Sequence, residues 1–272
     1  APEAPPATRF SVEVEGKGPD VILIPGLISS RAVWDGAVTG LGGKYRVHRM
    51  QIAGFAGEPA GANASGEILP GVVEQLHLYI LARHLHHPRI VGHSLGGLLA
   101  LMLAAAHPDD VGPVLVVDAL PFYGMLFGPD ATSAAVEPRA AAFRDAMKDM
   151  SDEAYRAQQP QTLASLVKNE AARAKVLEWS LASDRKVAAE AVYEDIVTDM
   201  RPKLADIAAP LTVAYAVNEY ATRDKVEPLY KGGYAAARDV RFVPVEGAYH
   251  FLMLDQPDRF QVVLADFLAG RR

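Results

Sequence analysis

The chain contains no cysteine. That absence excludes disulfides, thiolate-held zinc and a cysteine nucleophile together. It leaves the compartment open, because reducing and oxidising spaces both accept a cysteine-free protein. No apolar run approaches the roughly 18 residues a membrane span requires, so no membrane span is expected. There is no Lys/Arg run either, and 27 basic against 33 acidic residues give a net charge of -6. A mildly acidic chain gives nucleic acid or an anionic membrane no electrostatic reason to bind. Neither is expected as a partner. What remains is globular composition: of 272 residues, 50% are hydrophobic and 22% charged, and the length fits one domain with an insertion or two small domains. Oligomeric state is not encoded in any of this.

The sequence opens APEAPPAT, without Met and rich in Pro and Ala. Residues 1–8 are expected to form a poorly ordered tail. They resemble the start of a mature protein after signal-peptide removal, which suggests export to the periplasm or beyond and leaves a cytoplasmic location open. After the tail, RFSVEVEG alternates apolar and polar residues, the pattern of a half-buried strand. DVILIPG, GPVLVVDALPF and PLTVAYAV are short continuous apolar runs, the pattern of strands buried on both faces of a parallel sheet. YRVHRMQI, PRIVGH and DVRFVPV add three more strands. VVEQLHLYI, the Ala/Leu run after GHS, KVEPLYKGG and PDRFQVVLADFLAG have helical spacing. In the last, Phe260, Val263, Leu264, Phe267 and Leu268 share one face. Alternating strands and helices predict an α/β fold, a mostly parallel sheet with helices on both faces. Residues 121–209 break the alternation with helical periods and no good strand. They are too long for a loop and are expected to form a helical cap (lid) over a core of residues 9–120 and 210–272.

The strongest motif is Gly92-His93-Ser94-Leu95-Gly96, a G-x-S-x-G preceded by apolar residues and followed by a helix. A tight strand-to-helix turn would strain Ser94 and lift its hydroxyl out of the fold, while Gly92, Gly96 and Gly97 admit close backbone approach. The Leu95 amide, at a helix N-terminus, then points to where a carbonyl oxygen would become negative. A serine hydroxyl is a weak nucleophile until a base removes its proton. His250, after the last strand in VEGAYHFLMLDQPDRF, stands on the same sheet edge. The other seven histidines fit this role less well. His93 is inside the elbow, His48 in a strand, His77 mid-helix and His107 at a helix end. His84, His86 and His87 cluster at a helix terminus without a flanking acid, so no metal is expected. The acid that holds the imidazole is ambiguous. Asp118 ends VLVVD, while Glu219 lies just past PLTVAYAV, with Asp224 five residues further. Asp118 is preferred because it needs no loop to fold back. The second oxyanion donor should come from Pro25-Gly26-Leu27-Ile28, with Leu27 first and Ile28 second. A substrate pocket is expected from Ile28, His93, Phe122, Tyr123, Met125, Leu126 and Phe127, roofed by Met147, Met150, Tyr155 and Trp179.

On these residues the chain resembles the α/β-hydrolase superfamily over about residues 9–270. The matching stretches are GHSLGG, LIPGLISSRAVWDG and GAYHFLMLDQPDRFQVVLADFL. The inserted region resembles the lid that members carry between their sixth and seventh strands. The resemblance implies a serine hydrolase without metal or cofactor, acting on esters of small or medium apolar molecules. Related reactions on the same elbow are a perhydrolase, thioesterase, amidase or carbon–carbon bond hydrolase, and a non-catalytic ligand-binding protein is a further alternative. Two departures stand out. Pro25-Gly26 replaces the family's His-Gly, and Ala216 to Glu219 replaces its Gly-x-x-Asp. Haloalkane dehalogenases carry the acid after the sixth strand, where Asp118 falls, but they and epoxide hydrolases use an Asp nucleophile in place of Ser94.

Overall fold

Continuous apolar runs have become the centre of a sheet and the alternating run its edge. The computed structural model describes residues 8–271, so the expected tail, apart from Thr8, lies outside the described residues. The described residues form seven strands: β1 Phe10–Glu15, β2 Asp20–Ile24, β3 Arg46–Ile52, β4 Arg89–His93, β5 Val114–Val117, β6 Leu211–Val217 and β7 Val240–Glu246. Their order is β1-β3-β2-β4-β5-β6-β7. β1 pairs antiparallel with β3, and the other pairings are parallel. β2, β4 and β5 are buried along almost their whole length, as strands covered on both faces must be. β1, at the edge, keeps Ser11, Glu13, Val14 and Glu15 exposed.

Helices cover both faces. α2 (Leu69–Ala82), α3 (Leu95–Ala106) and α8 (Arg223–Gly233) pack one side through Leu76, Leu99 and Val226. α1 (Asp35–Gly40) and α10 (Pro257–Leu268) pack the other through Ala37, Phe260 and Leu264. A single helical turn, α9 (Leu252–Asp255), precedes α10.

Between β5 and β6 stand four helices: α4 Ser133–Asp149, α5 Asp152–Ala164, α6 Glu170–Ala182 and α7 Arg185–Val197. Each starts on a polar side chain that accepts from its own first turn: Thr132, Ser151, Asn169 and Asp184. Such caps satisfy amides that have no partner inside the helix. α4 packs on α7 and α5 on α6. Met200, Leu204 and Ile207 join the apolar cluster of α3, so the chain is back on the body of the fold before Ala209. Among the described residues, no helix is long and apolar enough to cross a membrane.

Candidate active site

The chain leaves β2 towards β3 on one side, while β4 starts the run β4-β5-β6-β7 on the other. The C-terminal ends of β2 and β4 therefore frame the switch point where open α/β sheets bind ligands. Ser94 sits there between β4 and α3 with φ 56° and ψ -121°. The glycines have a steric reason. A Cβ on Gly92 would lie 2.2 Å from the Gly96 carbonyl oxygen, and one on Gly96 would lie 2.3 Å from that of Ile24. Ile28, Ser94 and Asp118 all have positive φ, a strained state for residues other than glycine. All three line one cavity of about 840 Å³.

His250 lines the same cavity, and its Nδ1 is 2.7 Å from Asp118 Oδ2. Asp118 is itself held. Its amide donates to the Ala214 carbonyl at 2.7 Å, and its Oδ1 accepts from the Ala216 amide at 2.9 Å and the Tyr230 hydroxyl at 3.3 Å. Burial raises the Tyr230 phenol well above its ordinary value, so it remains a donor. Glu219, the other candidate, is engaged elsewhere. It accepts from the Tyr249 hydroxyl, a bond that is the main reason the Tyr249 phenol is pushed up to about 12. Asn218, just before Glu219, makes a turn. Its side-chain oxygen accepts from the Tyr220 and Ala221 amides, and its nitrogen donates to the Ala248 carbonyl at 2.8 Å.

His93 is fully buried, and its Nε2 donates to the His250 carbonyl at 2.9 Å. Burial, and then the nearby His250 charge, drive its pKa down to about 3. The ring is therefore neutral and Nδ1 is a bare acceptor, buried without a partner. Gly26 passes this wall closely enough that a Cβ there would be 3.1 Å from Ser94 Cβ. In the same turn the Ser29 amide donates to the Gly26 carbonyl. The Leu95 amide, first in α3, has no intrahelical partner. Asp255 fixes the histidine loop from behind. Its carboxylate accepts from the amides of Tyr249, Lys168 and Asn169 at 2.8 to 2.9 Å.

Leu27, Ile28, His93, Tyr123, Leu126 and Phe127 line the cavity. Phe122 and Trp179 do not, which corrects the expected pocket. Phe122 is fully buried beneath Gly124, with the Arg201 guanidinium 4.7 Å from its ring centroid. Trp179 packs against the core on the α10 side, and Val176, three residues earlier, supplies the wall from α6. Met125, Met147, Met150 and Tyr155 are also absent from the lining. Tyr155 instead bonds Ser180 inside the insertion. Phe143, Val192, Asp195 and Ile196 stand in their place. Their signal was weak, because a helix in an isolated helical segment does not say which stripe faces the ligand. The 226/230/234 spacing could have flagged Tyr230.

The histidines at the far end of the molecule pair with acids. His77 bonds Asp110, and His107 Nε2 is 3.1 Å from Glu74. Glu74, His77 and His107 hold ligand-competent atoms within 4.8 Å of one another. Their imidazoles are stacked at 3.6 Å with planes 4° apart, so the ring lone pairs run side by side and do not converge on one point.

An elbow serine, a carboxylate-held histidine and a helical insertion over a parallel sheet define the α/β-hydrolase class. The profile described as Alpha/beta hydrolase family matches residues 21–261, and the chain belongs to that family. It is 37% identical over 116 residues to a pimeloyl-[acyl-carrier protein] methyl ester esterase of Aeromonas hydrophila, a match spanning 42% of this chain and 42% of that protein. The Edwardsiella ictaluri protein of the same name is 25% identical over 93% of this chain and 94% of its own. An esterase from Exiguobacterium antarcticum superimposes with a TM-score of 0.79 at 15% identity, covering 96% of this chain and 95% of that one. That last likeness is one of fold.

Proposed function

We propose that the chain hydrolyses carboxylic esters through an acyl-enzyme on Ser94. The observation that carries this reading is the 2.7 Å contact of His250 Nδ1 with Asp118 Oδ2 beside the strained Ser94. Asp118 keeps the proton on Nδ1, leaving the Nε2 lone pair to accept the Ser94 proton. Ser94 Oγ attacks the ester carbonyl carbon, and the carbonyl electrons move onto oxygen, where the Leu27 and Leu95 amides receive them. Collapse expels the alkoxide, which takes its proton from His250. Water then repeats the sequence and releases the acid. The four inserted helices act as a cap, and the apolar walls from Ile28, Tyr123, Leu126 and Phe127 suit small to medium apolar esters. The volume is in the range of ordinary small-molecule sites. The names of the relatives make methyl esters of medium-length acyl chains the first natural substrates to try.

The test is p-nitrophenyl butyrate hydrolysis by wild type, Ser94→Ala, Asp118→Asn and Glu219→Gln. Ser94→Ala should be inactive, Asp118→Asn should lose roughly 10⁴-fold in kcat, and Glu219→Gln should stay within about threefold. A wild type with neither turnover nor a nitrophenol burst would sink the ester reading. A larger loss in Glu219→Gln than in Asp118→Asn would move the acid.

A further inference from the structure

One carboxyl in the cavity has no task in the reaction above. Asp195 lines the cavity from α7 together with Val192 and Ile196, the three-and-four spacing that places side chains on one helix face. Among the described residues it has no hydrogen bond and no ion pair. The other carboxylates around it are engaged. Glu194 accepts from the Ile68 and Leu69 amides, Glu190 faces Arg144 and Asp199 pairs with Arg201. The surrounding wall is apolar: Leu120, Val192, Ile196 and Leu229. Burial pushes the Asp195 carboxyl up to about 7, against the opposing pull of His250. Tyr123 is the other ionisable group close enough to feel its charge.

Asp195 is half-buried and faces the cavity, and a carboxyl left without a protein partner in an apolar setting calls for an explanation. Here the missing partner has a place to come from, because the carboxyl opens on the space where the substrate sits. We propose that Asp195 is a specificity residue that binds an uncharged oxygen group, a hydroxyl or carbonyl, carried on the apolar part of the substrate. The neutral carboxyl donates its O–H to such an oxygen and accepts through its C=O. A plain alkyl chain leaves Asp195 unpaired. A carboxylate-bearing chain would have to bury its charge against the same apolar wall. The inference rests on the ester reading for the identity of the substrate, though not for the recognition itself.

The experiment compares p-nitrophenyl hexanoate with its 3-, 5- and 6-hydroxy derivatives on wild type, Asp195→Asn and Asp195→Leu. For at least one hydroxylated ester, wild type should show a preference over hexanoate that Asp195→Leu reduces by about tenfold, the effect of one buried hydrogen bond. The loss should fall on KM, with kcat little changed, and Asp195→Asn should keep the preference within about threefold. Equal ratios in all three proteins would reduce Asp195 to a structural residue and overturn the proposal. Calorimetric binding of hexanamide and the matching hydroxyhexanamides to the same proteins needs no turnover. If no ester is cleaved, the ester reading fails alone, and the binding ratios still decide the role of Asp195.

Discussion

At the scale of the residue, the site turns on which groups hold His250. Asp118 holds the ring and His93 holds the backbone, through an Nε2–H donated to the His250 carbonyl at 2.9 Å. Replacing His93 by Phe keeps a ring in the elbow but leaves that carbonyl unpaired, a loss of about 1–3 kcal/mol when buried. We expect His93→Phe to lower kcat about tenfold or more with KM little changed, since ring placement matters in the transition state. Steady-state kinetics with a matched urea melt separates this from unfolding. Unchanged kcat would show that the clamp is dispensable. Both Asp118 and Glu219 were open in the sequence, because each follows a strand on the correct edge. What separates them is a contact 132 residues apart along the chain, and no local pattern encodes it.

At the scale of the element, strands and core helices were legible and the cap lining was not. The sheet strands follow their apolar runs closely: DVILI is β2 and VLVV is β5. α10 buries the face that its spacing predicted, Phe260, Val263, Leu264, Phe267 and Leu268. The reason is that burial on a sheet imposes a strict period, and the period is visible in one dimension. The inserted helices pack on one another and face the cavity with what is left, so Trp179 turned to the core and Phe122 went under Gly124. One connection holds insertion and body together from a distance. Glu194 on α7 accepts the Ile68 and Leu69 amides at the start of α2, a helix with no side-chain cap of its own. Glu194→Ala should therefore cost about 1–3 kcal/mol, read as a lower urea midpoint with an unchanged slope. A midpoint equal to wild type would mean water replaces the carboxylate without loss.

At the scale of the whole molecule, buried ionisable groups make stability depend on pH. The Asp195 and Glu194 carboxyls are each raised to about 7, with burial as the first cause. Below their ordinary values they are neutral in both folded and unfolded chains, and nothing is lost. As pH rises, the unfolded chain ionises first, so the folded state loses stability until pH passes about 7 and then levels. The depressed His93 acts in the opposite sense: its stability is present above the ordinary histidine value and is lost as pH falls through that value towards about 3. The two trends cross, so the variant isolates the effect. Relative to wild type, Asp195→Asn should gain on the order of 2 kcal/mol between pH 4 and pH 7. Urea melts at pH 4.5 and 8 give the measurement. A pH-independent difference would mean that Asp195 is ionised throughout.

Asp255 joins two parts of the molecule that the sequence keeps far apart. One carboxylate grips the amides of Lys168 and Asn169, between α5 and α6, and the amide of Tyr249 next to His250. The Phe251 amide adds a bond to the Leu166 carbonyl. The insertion is thus riveted to the histidine loop along its α5–α6 half, and a rivet fixes where a hinge cannot be. Any widening that admits a bulky ester without dragging His250 away from Ser94 has to happen on the opposite flank. That flank is the one where Tyr123, Leu126, Phe127 and Phe143 stand exposed at the cavity's rim. A single side chain behind the site thus sets which flank is tied to His250.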